Sequence, residues 1–277
     1  MPELPEVEMV VRHLQKLVTA RTIIKAQLKL PRLAPENSPR QFSTWLKQAR
    51  IEAVTRRGKH ILLHFDNARS LLVHLRMTGR FLYQDTNEPD IKHTHALFWL
   101  DNDKKLLFID PRQFGLMQLV RTNELHQSKY LSKLAPEPFS DEFTVAYLHT
   151  TLKRSKQPIK LTLLDQTKVL GLGNIYASEA LHRAKINPRL LAHKLSQPRA
   201  TLLHHEIIAV LAEAIANNST MNTNPEDVSA SYTGGVYETM TKVYERAGLP
   251  CYSCHTPIRR VVQGGRSTYY CPRCQSR

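Results

Sequence analysis

Residues 251–277, CYSCHTPIRRVVQGGRSTYYCPRCQSR, hold all four cysteines of the 277-residue chain. Cys251 and Cys254 form one C-x2-C pair, Cys271 and Cys274 a second, with 16 residues between them. Two such pairs at that separation offer four thiolates to one tetrahedral zinc ion of structural type. A disulfide framework is the poorer reading, because the acidic, proline-punctuated N-terminus does not look like an export signal. Between the pairs, IRRVVQ and RSTYY flank Gly264-Gly265, a two-residue hairpin signal. Zinc would pin the ends of this hairpin and leave Arg266 just past its tip. The stretch carries five arginines (259, 260, 266, 273 and 277) and neither an acid nor a lysine. Two readings of it stand side by side: a ribbon that only stabilises the fold, and a stiff finger that presents Arg266.

Upstream of the ribbon the pattern is helical. DEFTVAYLHTTLKRS, PIKLTLLDQ and NIYASEALHRAK read as helices, followed by a long one from Gln197 to Asn217. On that last helix Leu202, Leu203, Ile207, Leu211 and Ile215 are expected on one face. The glycines of KVLGLGN allow a tight reversal, and Asn174 is expected at the N-cap of the next helix, where backbone N–H groups favour phosphate. Before residue 131 the period changes. TIIKAQLKL, IEAVTRR, HILLHFD, SLLVHLR, HALFWLD and KLLFID are short apolar or β-branched segments separated by turn residues. They predict a sandwich or barrel, not a parallel α/β sheet. LSKLAPEPFSDEF (131–143), with its two prolines, reads as a linker. The expected organisation is 1–130, an N-terminal sandwich or barrel domain; 131–143, a linker; 144–250, a helical domain; and 251–277, the zinc module.

Residues 5–18 predict an amphipathic helix, with Val7, Val10, Leu14 and Leu17 on its apolar stripe and Arg12, His13 and Lys16 off it. The opening MPELPEVE admits two accounts. Pro2, Pro5, Glu3 and Glu6 suit a helix start and the positive end of its dipole. If Met1 is trimmed, Pro2 becomes a secondary amine beside the carboxylate of Glu3, the pair that iminium chemistry at an acetal carbon requires. Composition favours a polyanionic partner: Lys plus Arg is 39 against 24 acids, a net charge of +15. No apolar run reaches membrane-span length, so a membrane partner is not expected.

These motifs together resemble the bacterial formamidopyrimidine-DNA glycosylases, and the resemblance spans essentially the whole chain. It is carried by MPELPEVE, RRGKHILLHF around Lys59, HLRMTGRF around Met77 and KHTHA at His93. It continues through DPRQFG around Arg112, LAPEPFS, LGLGNIYASEAL at Asn174 and the closing cysteine ribbon. It implies an α+β fold, with an N-terminal helix plus β-sandwich domain followed by a helical helix-two-turn-helix domain bearing a C-terminal zinc-ribbon β-hairpin. It implies a monomeric base-excision-repair enzyme with one structural zinc ion, acting on double-stranded DNA in the bacterial cytoplasm. The implied activity is excision of oxidised purines (8-oxoguanine and formamidopyrimidines) with abasic-site lyase activity by β,δ-elimination. Alternatives are a member that prefers oxidised pyrimidines or abasic sites, and a damaged-DNA-binding protein without turnover.

Carried over residue by residue, the resemblance makes Pro2 the nucleophile, Glu3 the proton shuttle at the sugar, Lys59 a proton donor and phosphate contact, and Arg266 a clamp on phosphates flanking the lesion. Met77, Arg112 and Phe114 would enter the duplex as the base flips out, with Arg112 reading the orphaned base. His93, Arg154, Lys156 and Asn174 would bind backbone phosphate. Glu6 would be supporting structure. The sequence departs from the family pattern at Gln113 (DPRRFG is usual), at Asn217-Asn218 (usually paired glycines) and at Glu245 in KVYER (usually KVYGR). The loop over the extruded base, 217–240, is therefore where base preference is expected to differ.

Overall fold

The computed structural model describes residues 2–222 and 231–276. They form two compact units: Met1–Ser132 with Asn218–Val236, and Lys133–Asn217 with Tyr237–Arg277. The segment after the long helix thus belongs to the first unit, although the chain on either side of it belongs to the second.

The first unit starts with helix α1 (Leu4–Val18). Leu4, Val7, Val10, Val11, Leu14 and Val18 are almost fully buried, and the helix packs on β2 (Ala49–Arg57) and β3 (His60–Phe65). His13, expected off the apolar stripe, is buried as well. Burial holds its imidazole below the ordinary histidine pKa, with Lys16 adding to the effect.

The antiparallel sheet runs in the order β5-β7-β6-β1-β2-β3-β4-β8. Its other strands are β1 (Thr22–Leu28), β4 (Arg69–His74), β5 (Arg80–Asp85), β6 (Thr94–Leu100), β7 (Lys104–Ile109) and β8 (Leu116–Arg121). The sheet's two halves join only through the short pairing Thr22↔Arg50 and Ile23↔Ala49. The expected sandwich is therefore one hydrogen-bonded sheet with a narrow join. β5 and β8 lie outside the six segments read as strands, because RFLYQD and LMQLVR mix polar residues into short runs. Helix α2 (Pro39–Leu46) likewise lies outside the segments read as helices. It starts on a capping box between Ser38 and Gln41, the sequence signature of a helix N-terminus. Strands β9 (Met221–Asn222) and β10 (Ser231–Gly234) pair with each other.

The second unit holds α3 (Val145–Lys153), α4 (Ile159–Leu163), α5 (Asn174–Arg183) and α6 (Gln197–Ala216). The buried stripe of α6 is Leu203, Ile207, Val210, Leu211 and Ala214, whereas Leu202 is 42% exposed. The expected face was displaced because Val210 and Ala214, not Leu202, lie in line with Leu203 and Ile207 at helical spacing. The hairpin β11 (Arg259–Gln263) and β12 (Arg266–Tyr270) closes the chain. No described helix is long and apolar enough to cross a membrane.

Candidate active site and nucleic-acid interface

Pro2 and Glu3 lie buried at the start of α1. Glu3 is the N-cap, and Glu3 and Glu6 form a reciprocal capping box in which the Glu3 N–H donates to Glu6 Oε2 at 2.8 Å. The helix-start account thus holds for Glu6, and Glu3 places a carboxylate one residue from Pro2. The other oxygen of Glu6 accepts from Thr220: 3.3 Å from the backbone nitrogen and 3.0 Å from the hydroxyl. Glu6, only 1% exposed, therefore ties the helix start to the segment after residue 217.

Lys59 sits in the two-residue turn between β2 and β3, where Arg57 pairs with His60. Gly58 supplies the positive φ (57°) that such a turn needs. Arg56 bonds both Glu8 of α1 (3.0 Å) and the Gly58 carbonyl (3.1 Å), which fixes this turn against the first half of α1. Lys59 is 5% exposed. Below it His60 and His74 face each other across the strand pair, ring centroids 4.6 Å apart and edge to face. Burial lowers the His60 pKa to about 4 and that of His74 well below its ordinary value; nearby Arg76 and Lys59 push both the same way. The pair is neutral at pH 7.

Met77, Arg112 and Phe114 are brought together. The Arg112 guanidinium lies 4.8 Å from the centroid of the Phe114 ring, and its Nη1 lies 3.2 Å from Met77 Sδ. Met77 is 42% and Phe114 53% exposed, so two apolar side chains and a guanidinium share one exposed cluster. Asp110, fully buried, knits the two loops. One carboxylate oxygen accepts from the Thr78 hydroxyl and the other from the Gly115 N–H at 2.6 Å. The Thr78 hydroxyl in turn accepts from the Arg112 N–H at 3.3 Å. A Cβ at Gly79 would stand 2.5 Å from the Leu75 carbonyl oxygen, and one at Gly115 would stand 2.8 Å from the Phe108 ring. Neither Asp110 nor Thr78 was singled out in the sequence; the only local signal was a small polar residue in each loop. His93, half-buried, has φ 67° and accepts at its carbonyl from the Asp110 N–H at 3.0 Å. Gln113, also at positive φ (56°), is bonded through its side-chain oxygen to Arg32. With Gln113 at this position, a guanidinium still lies next to the loops of Met77 and Phe114, supplied by Arg32.

In the second unit, Arg154 and Lys156 are exposed on either side of buried Ser155, between α3 and α4. Asn174 is the first residue of α5 and not its N-cap, which is Gly173. The Asn174 side-chain oxygen turns instead to Lys160 Nζ, at 2.7 Å. Lys160, with no exposed surface, also donates to the Ser267 carbonyl (3.1 Å) and the Thr268 hydroxyl (2.9 Å). A buried lysine on α4 thus joins the start of α5 to the hairpin. PIKLTLLDQ carries no local sign of this role, because it shows one cation among apolar residues, an ordinary helix pattern. Gly264 and Gly265 both have positive φ (55° and 74°), as the tip of a two-residue hairpin requires. Arg266 is exposed immediately after that tip, opposite Gln263.

The sulfurs of Cys251, Cys254, Cys271 and Cys274 all lie within 4.8 Å of one another. The Cys254–Cys271 and Cys251–Cys274 separations are 3.4 and 3.9 Å. Zinc–sulfur bonds of about 2.3 Å in a tetrahedron place sulfurs roughly 3.8 Å apart, so the residues fit one zinc ion. Protonation fits as well. Burial and the neighbouring thiols push Cys274 up to about 12, and burial raises Cys271, whereas hydrogen bonds from Thr256 bring Cys254 down to about 6. Four thiolates this close need a dication between them.

Three family models match in order along the chain: the formamidopyrimidine-DNA glycosylase N-terminal domain over residues 1–117, the H2TH domain of the same enzymes over 134–225, and the zinc finger found in FPG and IleRS over 248–277. The formamidopyrimidine-DNA glycosylase of Desulforamulus reducens is 43% identical over 276 residues, 99% of each chain. That of Bacillus subtilis is 39% identical over 279 residues, the full length of both. Among solved structures, the Lactococcus lactis Fpg bound to DNA containing an abasic site superposes with a TM-score of 0.92 at 32% identity and full coverage of both chains. MutM bound to DNA containing carbocyclic 8-oxo-G superposes with a TM-score of 0.91 at 33% identity, again over both full chains. With all three domains matched in sequence and the whole length matched in structure, the chain belongs to the formamidopyrimidine-DNA glycosylase family.

Proposed function

We propose that this enzyme excises oxidised purines from duplex DNA and cuts the strand at the resulting abasic site, with Pro2 as its nucleophile. The observation that carries the assignment is the buried pairing of Pro2 with Glu3 at the capped start of α1, against the turn that bears Lys59. Once Met1 is removed, the Pro2 amine is of a type that titrates near about 7.7–8.0, so a fraction is free to attack at neutral pH. Attack at C1′ forms a C–N bond and breaks the glycosidic bond, whose electron pair leaves with the protonated base. Ring opening, with Glu3 moving the proton at the sugar oxygen, gives the iminium. Loss of a C2′ proton then expels the 3′ phosphate, a further elimination expels the 5′ phosphate, and water releases the enzyme.

The remaining contacts follow chemistry. Lys59 supplies a cation and a proton at the sugar. Met77 and Phe114 fill the space that the flipped nucleotide leaves, and Arg112 meets the orphaned base. Arg154, Lys156, His93 and Asn174 serve phosphate, and Arg266 clamps the phosphates beside the lesion, a task for which a planar, permanently charged group is suited. Zinc supplies no step; it holds the hairpin that carries Arg266. DNA is the partner, and a monomer acting in the bacterial cytoplasm, on the nucleoid, is the setting this implies. The part of the base-capping loop at 223–230 lies outside the described residues.

Borohydride reduction in the presence of a duplex with 8-oxoguanine opposite cytosine tests the assignment. A covalent adduct mapped to Pro2 is expected. An adduct mapped to a lysine, or full strand cleavage by a Pro2→Gly protein, would overturn it.

A further inference from the structure

The last turn of α5 meets the cysteine cluster through a side chain that no motif singled out. His182 is 8% exposed, and its Nε2 lies 3.8 Å from Sγ of fully buried Cys251. Its other ring nitrogen, Nδ1, is buried and has no hydrogen-bond partner. Another sulfur of the cluster already has a donor: Cys271 receives the Cys274 N–H at 3.3 Å. The Cys251 backbone N–H is engaged elsewhere, with the Thr256 carbonyl at 3.0 Å.

We infer that His182 donates an Nε2–H···S hydrogen bond to the zinc-bound Cys251 thiolate, and so positions the metal site on helix α5.

The tautomer follows from the surroundings. A thiolate is an acceptor only, so the nitrogen facing it must carry the proton. Nδ1 is then a bare lone pair. The other tautomer would bury an unmet N–H and turn a lone pair towards an anion, which is the costlier arrangement. Helix α5 grips the ribbon in the opposite sense one turn earlier. Fully buried Glu179 accepts from the backbone N–H groups of Lys242 (2.8 Å), Val243 (3.0 Å) and Tyr244 (2.9 Å). Val243 packs in the same small core as Cys251, Ile258 and Cys271. The helix therefore accepts from the lead-in to the ribbon and donates to its first thiolate, while its other end presents Asn174. Donors outside a metal's own ligands orient those ligands and raise affinity, typically by about 10–100-fold.

The test reads the metal and not strand cleavage, so its result stands apart from the Pro2 assignment. In the full chain with 113Cd replacing zinc and 15N-labelled histidine, the His182 ring is expected as the Nε2–H tautomer, with a scalar coupling from that proton to cadmium. An Nδ1–H tautomer overturns the inference, and this measurement needs no variant. For zinc transfer to a chelator, His182→Phe keeps the ring volume without the donor, and His182→Gln keeps a donor at the reach of Nε2. Release from the Phe variant is expected to be about tenfold faster or more, with the Gln variant close to the parent. Phe and Gln variants that behave alike, whether both fast or both like the parent, make His182 a packing residue and overturn the inference.

Discussion

Glu6 divides its two oxygens between the start of α1, where the proposed nucleophile Pro2 lies, and the segment beyond α6, and Glu6→Gln separates the two duties. Oε2 accepts from the Glu3 N–H at 2.8 Å, while Oε1 accepts from the Thr220 N–H (3.3 Å) and hydroxyl (3.0 Å). A glutamine has one acceptor. Its best placement keeps the amide oxygen on the Glu3 N–H and lets its NH2 donate to the Thr220 hydroxyl, which can accept instead. The Thr220 N–H then loses its bond to a charged oxygen, and the bond to Glu3 loses its charge assistance. Losing a buried hydrogen bond to a charged group costs about 1–3 kcal/mol, and exchanging a charged acceptor for a neutral one costs about 1 kcal/mol. The expected loss of stability is about 2–4 kcal/mol, read from urea denaturation with m unchanged. Function divides in the same way. The Glu3 cap survives, so cleavage of a pre-formed abasic site should stay within a few-fold of the parent. The segment that leads into the base-capping loop loses its anchor, so single-turnover excision of 8-oxoguanine should fall by about tenfold or more, a barrier change of about 1.4 kcal/mol. A variant with unchanged stability, or one that slows both reactions equally, would refute the division of duties.

Lys160→Met removes the hydrogen bonds to Asn174, Ser267 and Thr268 from a fully buried site and leaves the Ser267 carbonyl and the Thr268 hydroxyl without the ammonium; a loss of about 3 kcal/mol or more is expected, together with weaker binding of an abasic-site duplex, checked by denaturation and by fluorescence anisotropy. His60 and His74 have pKa values lowered in the folded state, so the unfolded chain binds more protons below pH 6.5, and stability, full above that pH, is lost as pH falls towards about 4. Between pH 7 and 5, His60 should cost about 2 kcal/mol, with His74 acting in the same direction; a flat urea midpoint over that range would contradict the buried neutral pair. Glu245 has φ 58° where the family usually places glycine, and Glu245→Gly should raise the melting temperature by relieving about 1 kcal/mol of left-handed strain; a lower melting temperature would show that the glutamate side chain is needed.

The sequence by itself settled the elements whose signal is local. Two C-x2-C pairs name a zinc site because thiolate geometry leaves few alternatives, and Gly264-Gly265 names a hairpin because only such residues take its φ values easily. The period-2 segments named six of the first unit's strands, and the order of motifs named the family. It could not show that Glu6 reaches Thr220, that Asp110 holds Thr78 and Gly115, that Lys160 bonds Asn174 and Thr268, or that His182 faces Cys251. Most of those contacts join residues far apart in the chain, and each residue looks like an ordinary helix or loop position in its own window. Burial is what gives them their roles. A polar group without water must find a partner, and only the packed chain decides which partner is within reach. The same reason moved the buried face of α6 from Leu202 to Val210 and Ala214, because periodicity marks an apolar stripe while the neighbouring helices choose its edge.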